Sequence, residues 1–141
     1  MPKKHGSAHW EGGLKDGRGT VSLESGALDA QPYGFNMRFE DAKGTNPEEL
    51  VAAAHASCFS MALSMVLGED GMKAESIDTN ATVTLDQVEG GFAVTKSHLT
   101  VTVSAPGAEE AKVREACEGA KKNCPISKLL TAEITMDVTI R

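Results

Sequence analysis

The 141-residue sequence predicts an α+β fold, with antiparallel sheets packed on a long buried central helix. Three observations carry that prediction. The segment 50–68 holds no formal charge (His55 taken as neutral) and is far too long for a strand. Segments of alternating apolar and polar residues follow it, most clearly at 81–88 and 133–140. The order reads strands, long helix, strand pair, helices, strand, which is not the strict alternation of a parallel α/β sheet.

The first 45 residues are rich in turn signals, at Gly12-Gly13, Asp16-Gly17, Gly26 and Pro32-Tyr33-Gly34. Short extended pieces fit between them at about 7–10, 19–24 and 35–40. In the last, Phe35, Met37 and Phe39 share one face, and Asn36, Arg38 and Glu40 the other. A helix start follows: Asn46 suits the N-cap, Pro47 the first helical position, and Glu48 and Glu49 the positive end of the dipole. The helix should run to about Leu67 and stop at Gly68 or Gly71. Strands are predicted at 81–88 and 92–105, joined by a hairpin turn at Gly90-Gly91. The apolar phase of the second strand changes between Val94 and Leu99, which predicts a bulge or bend near 96–98. A second helix at about 108–122 carries Val113, Ala116, Cys117 and Ala120 on one face, and Asn123-Cys124-Pro125 interrupts it. A short helix to about Leu130 and a closing strand, with Ile134, Met136, Val138 and Ile140 on one side, complete the chain.

The length fits one domain spanning 1–141. A net charge of −6 argues against a nucleic-acid surface and against anionic lipid. The apolar segment 50–67 reaches the lower length limit of a membrane span, but its alanines, three serines and histidine suit a core helix better. No apolar stretch follows Met1-Pro2-Lys3-Lys4-His5-Gly6, so no secretory signal is read there and a cytoplasmic protein is expected. Three cysteines then point to a reducing compartment rather than to a disulfide framework.

The cysteines carry the chemistry. Cys58 sits in the middle of the uncharged segment, where apolar burial should keep a thiol protonated and inert. Either Cys58 is core packing, or another segment supplies the positive charge that activates it. Met61 and Met65 share its helix face and would give a reactive sulfur an apolar, polarisable pocket. Cys124 precedes Pro125 and so falls at a helix N-cap, with Lys121, Lys122 and Lys128 nearby; the alternative is a half-exposed cysteine in a turn. Cys117 reads as core. The spacing of the cysteines, 59 and 7 positions, and the scatter of His5, His9, His55 and His98 fit no zinc site. His55 lies one turn before Cys58, as a base partner or as a packed or capping histidine. No Gly-rich phosphate loop or Ser-His-Asp signature is present.

The run Asn46-Pro47-Glu48-Glu49-Leu50-Val51-Ala52-Ala53-Ala54-His55-Ala56-Ser57-Cys58-Phe59, followed 66 positions after Cys58 by Cys124-Pro125-Ile126-Ser127, resembles the OsmC/Ohr family of thiol peroxidases. The opening Ala8-His9-Trp10-Glu11-Gly12, the piece Gly19-Thr20-Val21-Ser22 and Pro32-Tyr33-Gly34-Phe35-Asn36-Met37-Arg38-Phe39 are similar to its OsmC branch. The resemblance covers nearly the whole chain. It implies reduction of hydroperoxides, organic ones especially, without metal, flavin or other cofactor. It implies Cys58 as the peroxidatic thiolate, Cys124 as the resolving thiol, Arg38 as the activating cation and Glu49 as the carboxylate that orients it. Arg18 is the rival to Arg38, since the Ohr branch takes its arginine from an earlier loop. An external thiol would recycle the disulfide.

Helix geometry adds a prediction of its own. Glu49 and Cys58 are nine residues apart on one helix, a turn of about 900° and a rise of roughly 13.5 Å, which no glutamate spans. A shared site therefore requires Glu49 from a second subunit, in an intertwined homodimer with two composite sites. Small residues at Ala53, Ala56, Ser57, Ser60 and Ser64 would permit close helix approach. Two other readings share the same residues: a redox sensor or thiol–disulfide exchange protein, and a non-enzymatic dimeric module that binds an apolar ligand.

Overall fold

In the computed structural model, which describes residues 1–141, the chain clusters into two units, Met1–Leu50 and Val51–Arg141. In the first, β1 (Gly6–Glu11), β2 (Arg18–Leu23) and β3 (Gln31–Tyr33) form an antiparallel sheet in that order. β3 holds Pro32, which an edge strand tolerates because one row of its N–H groups needs no partner. Gly19, in the middle strand, lies opposite both Trp10 and Tyr33. Their rings come within 5.6 Å, and a Cβ on Gly19 would stand 2.6 Å from each.

The extended piece expected at 35–40 is instead a short helix, α1 (Phe35–Phe39). The amides of Met37 and Arg38 both reach the Gly34 carbonyl, and the Phe35 and Phe39 rings meet at 4.9 Å across one turn. Residues four apart share a face on a helix as well as on a strand, so the alternation of aromatics did not separate the two. Asn46 then does two jobs. Its Oδ1 accepts the Glu49 amide at 2.8 Å and caps the next helix, and its Nδ2 donates to the Met37 carbonyl at 3.0 Å, tying α1 to the helix start.

That helix, α2 (Pro47–Glu69), begins where its cap and Pro47 predict. It ends in a Schellman turn: Met72 N–H bonds the Leu67 carbonyl, Gly71 N–H bonds the Gly68 carbonyl, and Gly71 takes the left-handed conformation at φ 73°. Its length and composition would also suffice to cross a membrane. One stripe, His55, Phe59, Leu63 and Leu67, is buried at a spacing of four. The other side, Ala53, Ser57, Met61, Ser64 and Met65, is exposed, so the chain by itself buries only half of the helix expected to be central.

In the second unit β4 (Ser76–Val88) and β5 (Gly91–Ser104) form a hairpin longer than the pattern indicated. Thr84 pairs with Lys96 and Leu85 with Val94, which leaves Thr95 as the extra residue of a bulge. The bulge falls just ahead of the predicted window, and Thr95 anchors it by donating its hydroxyl proton to Asp86. After it, Ser97, Leu99, Val101 and Val103 all face the core. α3 (Glu110–Asn123) and α4 (Pro125–Leu129) lead to β6 (Glu133–Ile140). β6 runs parallel to β5, not antiparallel as expected, because the two intervening helices return the chain to the end of the sheet where β5 began. The sheet is therefore mixed, in the order β4-β5-β6. Phe59, Leu63 and Leu67 of α2, the β5 stripe, and Val113, Ala116, Cys117 and Ala120 of α3 make one core. Removing most of a buried leucine from it would cost about 2–5 kcal/mol.

Candidate active site

Cys124 occupies the position its sequence neighbours predict. It is extended (φ −61°, ψ 139°), caps α4 with Pro125 in the first turn, and its sulfur accepts the Ser127 amide at 3.3 Å. The Ser127 hydroxyl lies 3.1 Å from the same sulfur. Cys58, midway along α2, is half-buried and packs against the core that includes Cys124, close enough for Cys124 to act on its ionisation. The two thiols are free, not joined. The helix break at residues 123–125 thus delivers the second thiol to the first.

The local field favours the neutral thiol. Burial pushes Cys58 up from the ordinary cysteine range, and the neighbouring Cys124 pushes it further. The Ile126 backbone opposes the rise without reversing it. The environment expected of an uncharged helix is the one observed, so the thiolate needs a cation from another segment. Cys117, fully buried on α3, is pushed up to about 11 by burial and is held inert.

His55 is buried one turn before Cys58. Its Nδ1 stands 2.7 Å from the Ser97 hydroxyl of β5, and its Nε2 2.8 Å from the Ser127 hydroxyl of α4. Burial lowers its pKa and keeps the ring neutral. Ser97 did not stand out in the sequence, and Ser127 stood out only as the end of the Cys124-Pro125-Ile126-Ser127 run. Ser97 had a signal, a polar residue on the buried phase of a strand; Ser127 had one in its place three residues after a capping cysteine.

In the N-terminal unit Arg38 is clamped by Glu48. Its Nε donates to Glu48 Oε1 at 2.7 Å and Oε2 at 3.2 Å, and its Nη2 meets Oε1 at 2.7 Å. Glu49, the carboxylate expected there, accepts the Thr45 hydroxyl at 2.8 Å instead. The exchange follows from α1 being helical: Arg38 then approaches the first turn of α2 on the side of Glu48, and Glu49 projects about 100° away. Glu48 is the more enclosed of the pair, with 12% of its side chain exposed against 38% for Arg38. Arg18 is exposed on β2, opposite Glu11, and acts on that carboxylate. A cleft of about 180 Å³, lined by Trp10, Leu14, Tyr33, Phe35, Phe39 and Pro47, opens beside Arg38. No three His, Cys, Asp or Glu side chains are grouped to hold a metal ion.

An α+β chain with two adjacent free thiols, one at a helix cap, has the constitution of a two-cysteine redox protein. The match to known sequences is specific: residues 40–139 fit the model of the OsmC-like protein family, and this chain belongs to that family. It is 56% identical over 138 residues to Peroxiredoxin OsmC of Escherichia coli K12, covering 98% of this chain and 96% of that one. It is 30% identical over 124 residues to the organic hydroperoxide resistance protein OhrB of Bacillus subtilis, covering 87% and 89%. The crystal structure of OhrB superposes with a TM-score of 0.68 over 97% of this chain and 98% of that one. An OsmC-like protein of Vibrio cholerae shares the fold, at 19% identity and a TM-score of 0.77 over 98% and 99%.

Proposed function

We propose that this protein is a cysteine-based peroxidase that reduces organic hydroperoxides, and hydrogen peroxide, at Cys58. The observation that carries the reading is the packing of Cys58 against the core that holds Cys124, close enough for Cys124 to act on its ionisation, in a chain that is 56% identical to a peroxiredoxin. The Cys58 thiolate attacks the terminal oxygen of the hydroperoxide. The O–O bond breaks, the alkoxide takes a proton and leaves as alcohol, and Cys58 becomes a sulfenic acid. Cys124 then attacks the Cys58 sulfur, water is lost and a disulfide forms. An external dithiol reduces it by exchange. The chemistry needs no metal or flavin, and three free cysteines suit the reducing cytoplasm.

The cation is Arg38, held by Glu48, and it comes from a second copy of the chain. Glu48 and Cys58 are ten residues apart on one continuous helix, which is about 15 Å of rise. A thiolate within the 4–6 Å reach of a guanidinium must therefore belong to another subunit. Glu48 takes the Nε and Nη2 donors and leaves the Nη1 edge to face sulfur or peroxide. The uncovered side of α2 supports the same dimer. Met61 is 76% exposed and Met65 61%, on the helix meant to lie at the centre of the fold. Once covered, these thioethers would flank Cys58 and favour a peroxide with a hydrocarbon part.

Steady-state assays with cumene hydroperoxide and a small dithiol test the proposal. Many turnovers per subunit, abolished by Cys58→Ser, are expected. Oxidation that stops at one equivalent with every dithiol supplied would favour a sensor instead.

A further inference from the structure

The peroxidase cycle leaves one buried titratable group unused. His55 has no exposed surface, and its two ring nitrogens are both engaged by serine hydroxyls. One of them, Ser127, lies 2.8 Å from His55 Nε2 and 3.1 Å from Cys124 Sγ. A single hydroxyl therefore bridges an imidazole and the resolving thiol. We propose that His55 takes up the Cys124 proton through the Ser127 hydroxyl when the disulfide closes, and gives it up as the departing hydroxide becomes water. The proposal rests on the peroxidase reading and makes His55 a positioning and relay residue rather than one that touches peroxide.

One set of donor directions satisfies every pair. Cys124 S–H donates to Ser127 Oγ, Ser127 O–H to His55 Nε2, and His55 Nδ1–H to Ser97 Oγ. The chain of donors runs in one direction, from the resolving sulfur to a lone pair on a neutral ring. On closure, Ser127 passes its proton to Nε2 as it receives the Cys124 proton. The Cys124 sulfur bonds to the Cys58 sulfur, the Cys58 S–O bond breaks, and hydroxide leaves. Hydroxide and the imidazolium proton together make the water released. On reduction the attacking external thiol gives up a proton, and the Cys124 thiolate it expels takes one up. Burial is the influence that acts on the ring, and it favours return of the imidazolium to the neutral form. The groups facing His55 are Ser97 from β5 and Ser127 from α4, neither titrating in this range, with Cys58 one turn along α2 and Cys124 behind Ser127. Ser127 also lines a groove of about 730 Å³ with Lys121, Lys122 and Ile134, which gives the proton a way to solvent.

The test is a rapid-quench experiment with one equivalent of cumene hydroperoxide. Sulfenic acid is trapped with dimedone, and disulfide is counted by non-reducing mass spectrometry. In His55→Gln, which keeps hydrogen bonding but cannot titrate, sulfenic acid should form within twofold of the wild-type rate. Disulfide closure should slow tenfold or more. Its rate, flat between pH 6 and 8 in the wild type, should rise with pH in the variant, because Cys124 must then lose its proton to solvent. Ser127→Ala should match it, and Ser127→Thr should restore closure. Wild-type closure with a flat profile in His55→Gln would overturn the proposal. So would equal slowing of both steps, which marks a structural role. Should His55→Gln fail to fold, the Ser127→Ala and Ser127→Thr pair decides alone. A wild-type protein that yields neither sulfenic acid nor disulfide refutes the peroxidase reading itself, and that outcome is distinct from the others.

Discussion

Cys58 and Cys124, 66 positions apart, lie near each other as free thiols, one from the middle of α2 and the other from the N-cap of α4. Cys124→Ser should keep the first chemical step and lose the second. Sulfenic acid on Cys58 should accumulate after one equivalent of peroxide, visible as a single dimedone adduct, while steady-state turnover falls at least tenfold.

The pairing of Arg38 with Glu48 rather than Glu49 separates two neighbouring carboxylates by experiment. Arg38→Met should lower kcat/KM about a hundredfold, equivalent to about 2.7 kcal/mol of transition-state stabilisation, with little change in melting temperature. Glu48→Gln should lower it about tenfold by loosening the guanidinium. Glu49→Gln retains an acceptor for Thr45 and should stay within twofold. Kinetics on the three purified variants decide the matter, and equal losses for both glutamines would undo the assignment.

Burial of neutral His55 makes stability depend on pH with a defined sign. Its folded pKa is lowered, so the unfolded chain binds the proton first as pH falls. Stability from this group is fully present above about pH 6.5, the ordinary histidine value, and is lost as pH drops through the folded pKa. Urea melts at pH 7.5 and 5.5 should show a smaller difference for His55→Gln than for the wild type.

Cys117 should be silent. Its thiol, fully buried and pushed up to about 11, ought to resist iodoacetamide at pH 8 in the native protein, while Cys58 is alkylated. Peptide mapping after brief alkylation reads this directly.

The exposed side of α2 predicts a stable dimer. Met61→Glu should shift the species seen in sedimentation velocity from dimer to monomer and remove peroxidase activity, although Cys58, Cys124 and Arg38 remain in place.

Much of this was legible in the residues. Asn46-Pro47 and Gly71 mark the ends of α2, Pro125 places Cys124 at a cap, and the register change in β5 announces a bulge. What was not legible depends on tertiary partners. Phe35, Met37 and Phe39 fit one face of a strand, and the contact between Phe35 and Phe39 made them a helix turn. That change moved the carboxylate partner of Arg38 by one residue. The direction of β6 follows from where α3 and α4 return the chain, which alternation cannot express. The roles of Ser97 and Ser127 became visible only at the two ends of the His55 ring.

The central claim is that Cys58 and Cys124 form one redox couple driven by peroxide. Reduced protein mixed with one equivalent of cumene hydroperoxide, alkylated and mapped by non-reducing mass spectrometry, tests it most directly. The account predicts loss of two thiols per chain, a Cys58–Cys124 cross-linked peptide, and an intact Cys117. Peroxide left unconsumed with all three thiols still free would contradict it.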